Sequence, residues 1–149
     1  MTDRSSEELA RHISTIIKNL LVTGRQGAPA EGLLAFNPLY FQILRMVGGS
    51  EGTRPSVMAS DLAVPRTTIS AAVKALQGKG LVTTTPDQTD GRAVVVSLTR
   101  QGEEVLAAIT RQDNRNAKAM LNALSKQERP GFVKAMKKIA ATVSESPES

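Results

Sequence analysis

Pro65 constrains this chain more than any other residue, because it stands between two amphipathic stretches that cannot run through it. Proline lacks the N–H that a helix interior needs, and it drives the preceding residue, here Val64, out of the α region. The triplet Ala63-Val64-Pro65 therefore ends one short helix, carrying Val57, Met58 and Leu62, and forces a turn before the next. Met58-Ala59 is where two helices would cross closely. In the second helix Ile69, Ala72, Val73 and Leu76 follow the i, i+3, i+4, i+7 spacing of one apolar stripe. Gly78 and Gly80 stop it.

The opposite face of that second helix carries Arg66, Thr67, Thr68, Ser70, Ala71 and Lys74, all short or basic. Hydroxyls, cations and methyl groups each find partners on base edges in the major groove of DNA. Two helices joined by so short a turn make a helix-turn-helix. Next come two β-rich runs, Leu81 to Thr85 and Ala93 to Leu98, separated by the polar Pro86-Asp87-Gln88-Thr89-Asp90-Gly91. They read as a hairpin with a polar tip. A helix-turn-helix followed by a two-stranded wing is a winged helix, so the expected fold class is mainly α with a small β-hairpin wing.

The residues of this stretch resemble the multiple-antibiotic-resistance regulator (MarR) family of bacterial transcription factors. The resemblance rests on Met58-Ala59 through Thr68-Ile69-Ser70, then Leu76 and Gly80-Leu81-Val82. It continues through Asp87 with Asp90-Gly91-Arg92-Ala93, and ends on Val96-Ser97-Leu98-Thr99 with Gly102. It implies a homodimer held by N- and C-terminal helices, with the helix from Arg66 in the major groove and the wing at the minor groove. Arg92 would be the wing's contact to DNA, with Asp90 holding its guanidinium by a charge-assisted bond. Arg54 and Ser56, at the start of the first helix, would face phosphate. Gly91 and Ala71 stand where the family often carries a basic residue. The family also suggests a small-molecule effector, for which Tyr40, Phe41 and Arg45 are the candidate ligand-binding residues.

Composition narrows the alternatives. With 149 residues, of which 40% are hydrophobic, the chain has the length for one domain with a core. Three Phe, one Tyr and no Trp make that core aliphatic, and the absence of Cys removes disulfides, thiolate catalysis and thiolate metal sites. No apolar run approaches a membrane span, and the N-terminal MTDRSSEELAR carries no signal-peptide core, which points to a cytoplasmic protein with no membrane partner. The net charge of +5 suits a polyanionic partner such as double-stranded DNA. Its excess sits elsewhere than the proposed reading head: residues 53–99 hold 5 basic and 3 acidic groups, residues 100–143 hold 9 and 4.

The flanking segments read as helices. Leu9, Ile13, Ile16, Ile17, Leu20 and Leu21 form a helical stripe over about residues 7–23, with His12 beside it as a packing or interface residue. Residues 24–32 (GRQGAPAEG) are a small-residue linker; with no preceding strand and no G-K-[ST], they are no phosphate loop. Asn37-Pro38 starts a helix through Leu39, Ile43, Leu44, Met46 and Val47 that ends at Gly48-Gly49. Thr99 caps a long helix with Glu103 and Glu104 in its first turn, where adjacent residues point apart and make no catalytic pair. Its apolar seam is interrupted from Arg111 to Asn116. Ser125-Lys126-Gln127-Glu128 is a capping box for the last helix, where Pro130-Gly131 is expected to make a break or a restarted turn before Phe132, Met136, Ile139 and Val143. SESPES reads as a disordered end.

The expected organisation is a single domain over residues 1–149, with a DNA-binding lobe at about 53–99 and dimerisation helices at about 7–23 and 100–143. The function expected is a sequence-specific regulator, a repressor acting as a homodimer on a palindromic operator and released by a ligand. The alternative is a winged-helix protein-interaction module. An enzyme is the poorest reading: there is one His, no metal-ligand spacing and nothing that calls for a cofactor.

Overall fold

The computed structural model describes residues 3–22 and 37–145. Helix α1 covers Arg4–Ile16 and runs into a π-helical stretch, Ile17–Val22. Then come α2 (Pro38–Gly48), α3 (Pro55–Leu62), α4 (Arg66–Gly78), β1 (Val82–Pro86), β2 (Val94–Leu98), α5 (Arg100–Asn122) and α6 (Arg129–Glu145). The chain groups into two compact units, one up to Gln112 and one from Asp113.

In the first unit, Asn37 caps α2 by accepting from the N–H groups of Leu39 and Tyr40, with Pro38 at the first helical position. Phe41, Ile43, Leu44 and Val47 of α2 are buried against Met58 and Ala59 of α3 and Ile69, Ala72, Val73 and Leu76 of α4. Leu81, Val82, Val96, Val105 and Ile109 complete that core. Burying each large aliphatic side chain contributes roughly 1.5–3 kcal/mol. The expected stripe of α4 is therefore the buried one, residue for residue. Of the apolar residues named on α3, Met58 is buried together with Ala59, while Val57 is 44% exposed.

The strands pair antiparallel from Val82 opposite Leu98 to Pro86 opposite Val94. Each starts one residue later than the β-rich run suggested, because Leu81 and Ala93 serve the turns before them. Thr53 adds a short third pairing to Val96, with two bonds of 2.9 Å. Gly52 permits it with φ +146°; a Cβ there would lie 2.2 Å from Val95 Cγ1.

Thr99 joins four elements at one point. Its hydroxyl donates to the Gly80 carbonyl (2.6 Å) and accepts from the Gly102 N–H (3.0 Å), and its own N–H donates to the Leu81 carbonyl (3.1 Å). It thus caps α5 as expected and also closes the base of the wing. Leu9, Ile13, Ile16 and Ile17 lie exposed, and no described side chain of α1 is buried. The stripe expected as one helix to about residue 23 changes to π geometry at Ile17, a change in pitch of one turn that an apolar spacing cannot register. His12 is exposed, its Nε2 3.7 Å from Glu8 Oε1.

In the second unit the capping box forms as read: the Ser125 N–H donates to Glu128 Oε1 (3.0 Å) and the Glu128 N–H to Ser125 Oγ (3.3 Å). The Ser125 N–H, and after it the Ser125 hydroxyl, hold the Glu128 carboxyl below its usual range. The break expected at Pro130-Gly131 does not occur. Pro130 lies in the first turn of α6, where an N–H has no helical partner to lose. Arg129 donates to the carbonyls of Leu121 (2.9 Å) and Leu124 (3.3 Å), satisfying acceptors at the end of α5. Val133, Met136, Ile139 and Val143 of α6 are exposed. The linker 24–32 and the last four residues of SESPES lie outside the described residues, while Ser144 and Glu145 are helical.

Candidate nucleic-acid interface

The turn between α3 and α4 is built on an unusual backbone. Ala63 takes left-handed φ 53°, ψ 45°, and the Val64 N–H returns to the Ala59 carbonyl at 3.1 Å. Pro65 then opens α4 from an extended conformation. With the apolar stripe of α4 sunk in the core, Arg66, Thr67, Thr68, Ser70, Ala71 and Lys74 are all exposed, as the sequence suggested. No acidic side chain lies on α4. The helix thus presents hydroxyls, methyls and two cations on a rigid support, the donor and apolar set suited to base edges.

The wing is held differently from expectation. Arg54, at the N-cap position of α3, donates from Nε to Asp87 Oδ2 (2.5 Å) and from Nη2 to Thr89 Oγ1 (3.2 Å), and Nη2 also pairs with Asp87. Asp87 Oδ1 accepts from the Thr89 N–H (3.0 Å) and hydroxyl (2.9 Å). The Thr89 bonds, backbone before hydroxyl, and then Arg54 hold the Asp87 carboxyl below its usual range. Arg54, expected to face phosphate, is therefore engaged with the wing, whereas Ser56 is exposed on the first turn of α3. Asp90 does not hold the Arg92 guanidinium. Its Oδ1 accepts from the Arg92 backbone N–H at 3.1 Å, because a short Asx side chain closes its own turn more readily than it reaches outward. Arg92 is exposed at the tip.

Sequence reasoning missed the Arg54–Asp87–Thr89 cluster. Asp87-Gln88-Thr89 carries a local turn signal, but nothing in spacing links it to a cation 33 residues upstream.

The three proposed ligand residues all lie on α2 and none lines a cleft among the described residues. Phe41 is core, 3% exposed, Tyr40 packs half-buried against that core, and Arg45 is half-buried. A cleft of about 580 Å³ opens elsewhere in the first unit, between Gly48, Ser50, Glu51, Leu98, Leu106 and Arg111. Among the described residues no group of three or more acidic or His side chains is placed to hold a metal ion. No described helix is long and apolar enough to cross a membrane.

Residues 36–93, which hold the helix-turn-helix and the wing turn, match the model of the MarR family. Over those residues the chain is similar to the MarR family. Members of that family are DNA-binding transcriptional regulators, the class to which the matched stretch points. No curated protein sequence matches it. Among solved structures, a transcriptional regulator from Thermotoga maritima is similar at 26% identity, covering 94% of each chain with a TM-score of 0.59. FabT of Streptococcus pneumoniae, solved in complex with DNA, shares the fold at 16% identity, covering 94% of this chain and 98% of its own, with a TM-score of 0.79. PcaV of Streptomyces coelicolor, solved in complex with its natural ligand, shares it at 20% identity, 96% and 98% coverage and a TM-score of 0.66.

Proposed function

We propose that this chain is a MarR-family, cytoplasmic, sequence-specific repressor that binds a palindromic operator as a homodimer and is released by a small-molecule ligand. The observation that carries the DNA part is the exposed face of α4, where the six exposed positions from Arg66 to Lys74 are basic, hydroxylic or small and none is acidic. A residue near the N-terminal end of a recognition helix is placed for base edges, so Arg66 reads a guanine bidentately and Lys74, two turns on, supports it. Arg92 serves the minor groove from the wing. Dimerisation is supported by the exposed stripes of α1 and α6, more apolar surface than a small monomer leaves in water. Ligand release has its support in the ligand complex of PcaV. With no cysteine, the chain has no thiol–disulfide route to the same end.

Selecting duplexes from a random pool with the purified chain, then comparing affinity for the selected and scrambled DNA, tests this reading. Selection of a palindrome bound far more tightly than scrambled DNA is the expected result. Equal binding to both favours the protein-interaction reading.

A further inference from the structure

Two consecutive residues ahead of α3 hold the wing at two heights. Thr53 pairs with Val96 in the body of β2. Arg54 reaches past it to the tip, where its guanidinium binds both Asp87 and Thr89. The receiving carboxylate is fixed in turn: Asp87 accepts two bonds from Thr89, and its N–H donates to the Ala93 carbonyl at 2.9 Å. The Asp87 side chain is only 11% exposed, so the pair is screened less than an ordinary surface ion pair. A two-stranded hairpin is marginal by itself, and beyond Pro86 the wing has no ladder to stiffen it.

We propose that Arg54 is a positioning residue for DNA reading: by clamping Asp87 and Thr89 to the N-terminal end of α3, it sets the angle at which the wing and Arg92 meet the duplex. This rests on the reading of the chain as a DNA-binding regulator. A wing fixed before binding loses less conformational freedom on the duplex. The guanidinium suits the task because its planar fork serves two acceptors at once, which a lysine ammonium on a flexible stem does not.

The rival account has Arg54 contacting a phosphate itself, and the two part at Asp87. Asp87→Asn breaks the charge pair, keeps Arg54 and removes a negative charge from the DNA-facing side. A phosphate-binding Arg54 would then hold DNA as well as before or better, whereas a clamp would fail.

The test uses the full chain with Arg54→Ala, Arg54→Lys, Asp87→Asn, Arg92→Ala and the double variant Arg54→Ala/Arg92→Ala. Each is titrated with the duplex that the wild type selects from a random pool, and wing amide exchange is followed without DNA. Arg54→Ala and Asp87→Asn are each expected to weaken binding about fivefold and to speed exchange at residues 88–93 by a similar factor. Arg54→Lys should recover little. Once Arg92 is alanine, losing Arg54 should cost little more, because the clamp acts through Arg92. Wild-type binding by Asp87→Asn, multiplying losses in the double variant, or unchanged exchange would each overturn the proposal. A wild type that binds no DNA at all would instead remove the regulator reading, and the positioning role with it.

Discussion

Gly102 in the first turn of α5 lies directly against the backbone of Leu81, so close that a Cβ on Gly102 would stand 2.0 Å from the Leu81 carbonyl oxygen. That oxygen already accepts from the Thr99 N–H, and the Gly102 N–H is bonded to the Thr99 hydroxyl. The obstacle is backbone, not the end of a flexible side chain, so nothing nearby can swing aside. Gly102→Ala should destabilise the fold by about 2 kcal/mol or more, through displacement of α5 from the base of the wing. Thermal or urea unfolding of the variant checks this; stability equal to wild type would mean that α5 can slide.

The opposite effect is expected at Ala63. Its φ of 53° is a conformation that costs an L-residue with a Cβ about 1–2 kcal/mol, part of which glycine returns as unfolded-chain entropy. Ala63→Gly should therefore stabilise by about 0.5 kcal/mol, seen as a higher unfolding midpoint with unchanged slope.

Much of this architecture can be read from sequence where a repeating spacing carries it. Ile69, Ala72, Val73 and Leu76 are buried because four apolar residues on one stripe leave α4 a single inward face. The caps at Asn37, Thr99 and Ser125 were legible because each is a local bond between neighbours. What fails is what lacks a period or spans distance. Val57 is ambiguous because eight residues are too few to define a face, and Pro130 misleads because its effect depends on whether the helix starts one residue before it or several. The partner of Arg54 is set by how the hairpin folds back on α3, which no spacing encodes. The exposed face of α4 was legible, since it is the complement of the buried stripe, while the burial of Phe41 was not, because an aromatic side chain serves a core and a pocket equally well.

The Asp87 carboxyl gives the wing a pH signature. Its pKa is lowered in the fold, so the stability it contributes is present above the unfolded value of 3.8 and is lost as pH falls through the lower folded value. The difference in unfolding midpoint between wild type and Asp87→Asn should be constant above about pH 5 and close on acidification below the ordinary carboxylate range. A difference that persists at the acid end would show that Asn loses something other than the charge.

Assembly is tested at the exposed stripes. Ile13→Asp and Ile139→Asp each place a charge on an exposed apolar stripe, with Ile13 46% and Ile139 53% exposed. Neither is in the core, so folding should survive. Light scattering at micromolar concentration should give about twice the chain mass for wild type and the single-chain mass for at least one variant. A wild type that runs as a well-folded monomer contradicts the dimer.

The central claim is that α4 reads sequence, and Arg66→Ala tests it most directly. Titration against the selected duplex and a scrambled one, at several salt concentrations, should show a loss of about 1–3 kcal/mol on the selected duplex, little loss on the scrambled one, and relaxed discrimination at one position per half-site. Equal loss on both duplexes, with the salt slope lowered by about one, would make Arg66 a phosphate contact and contradict the assignment of α4 as the reader.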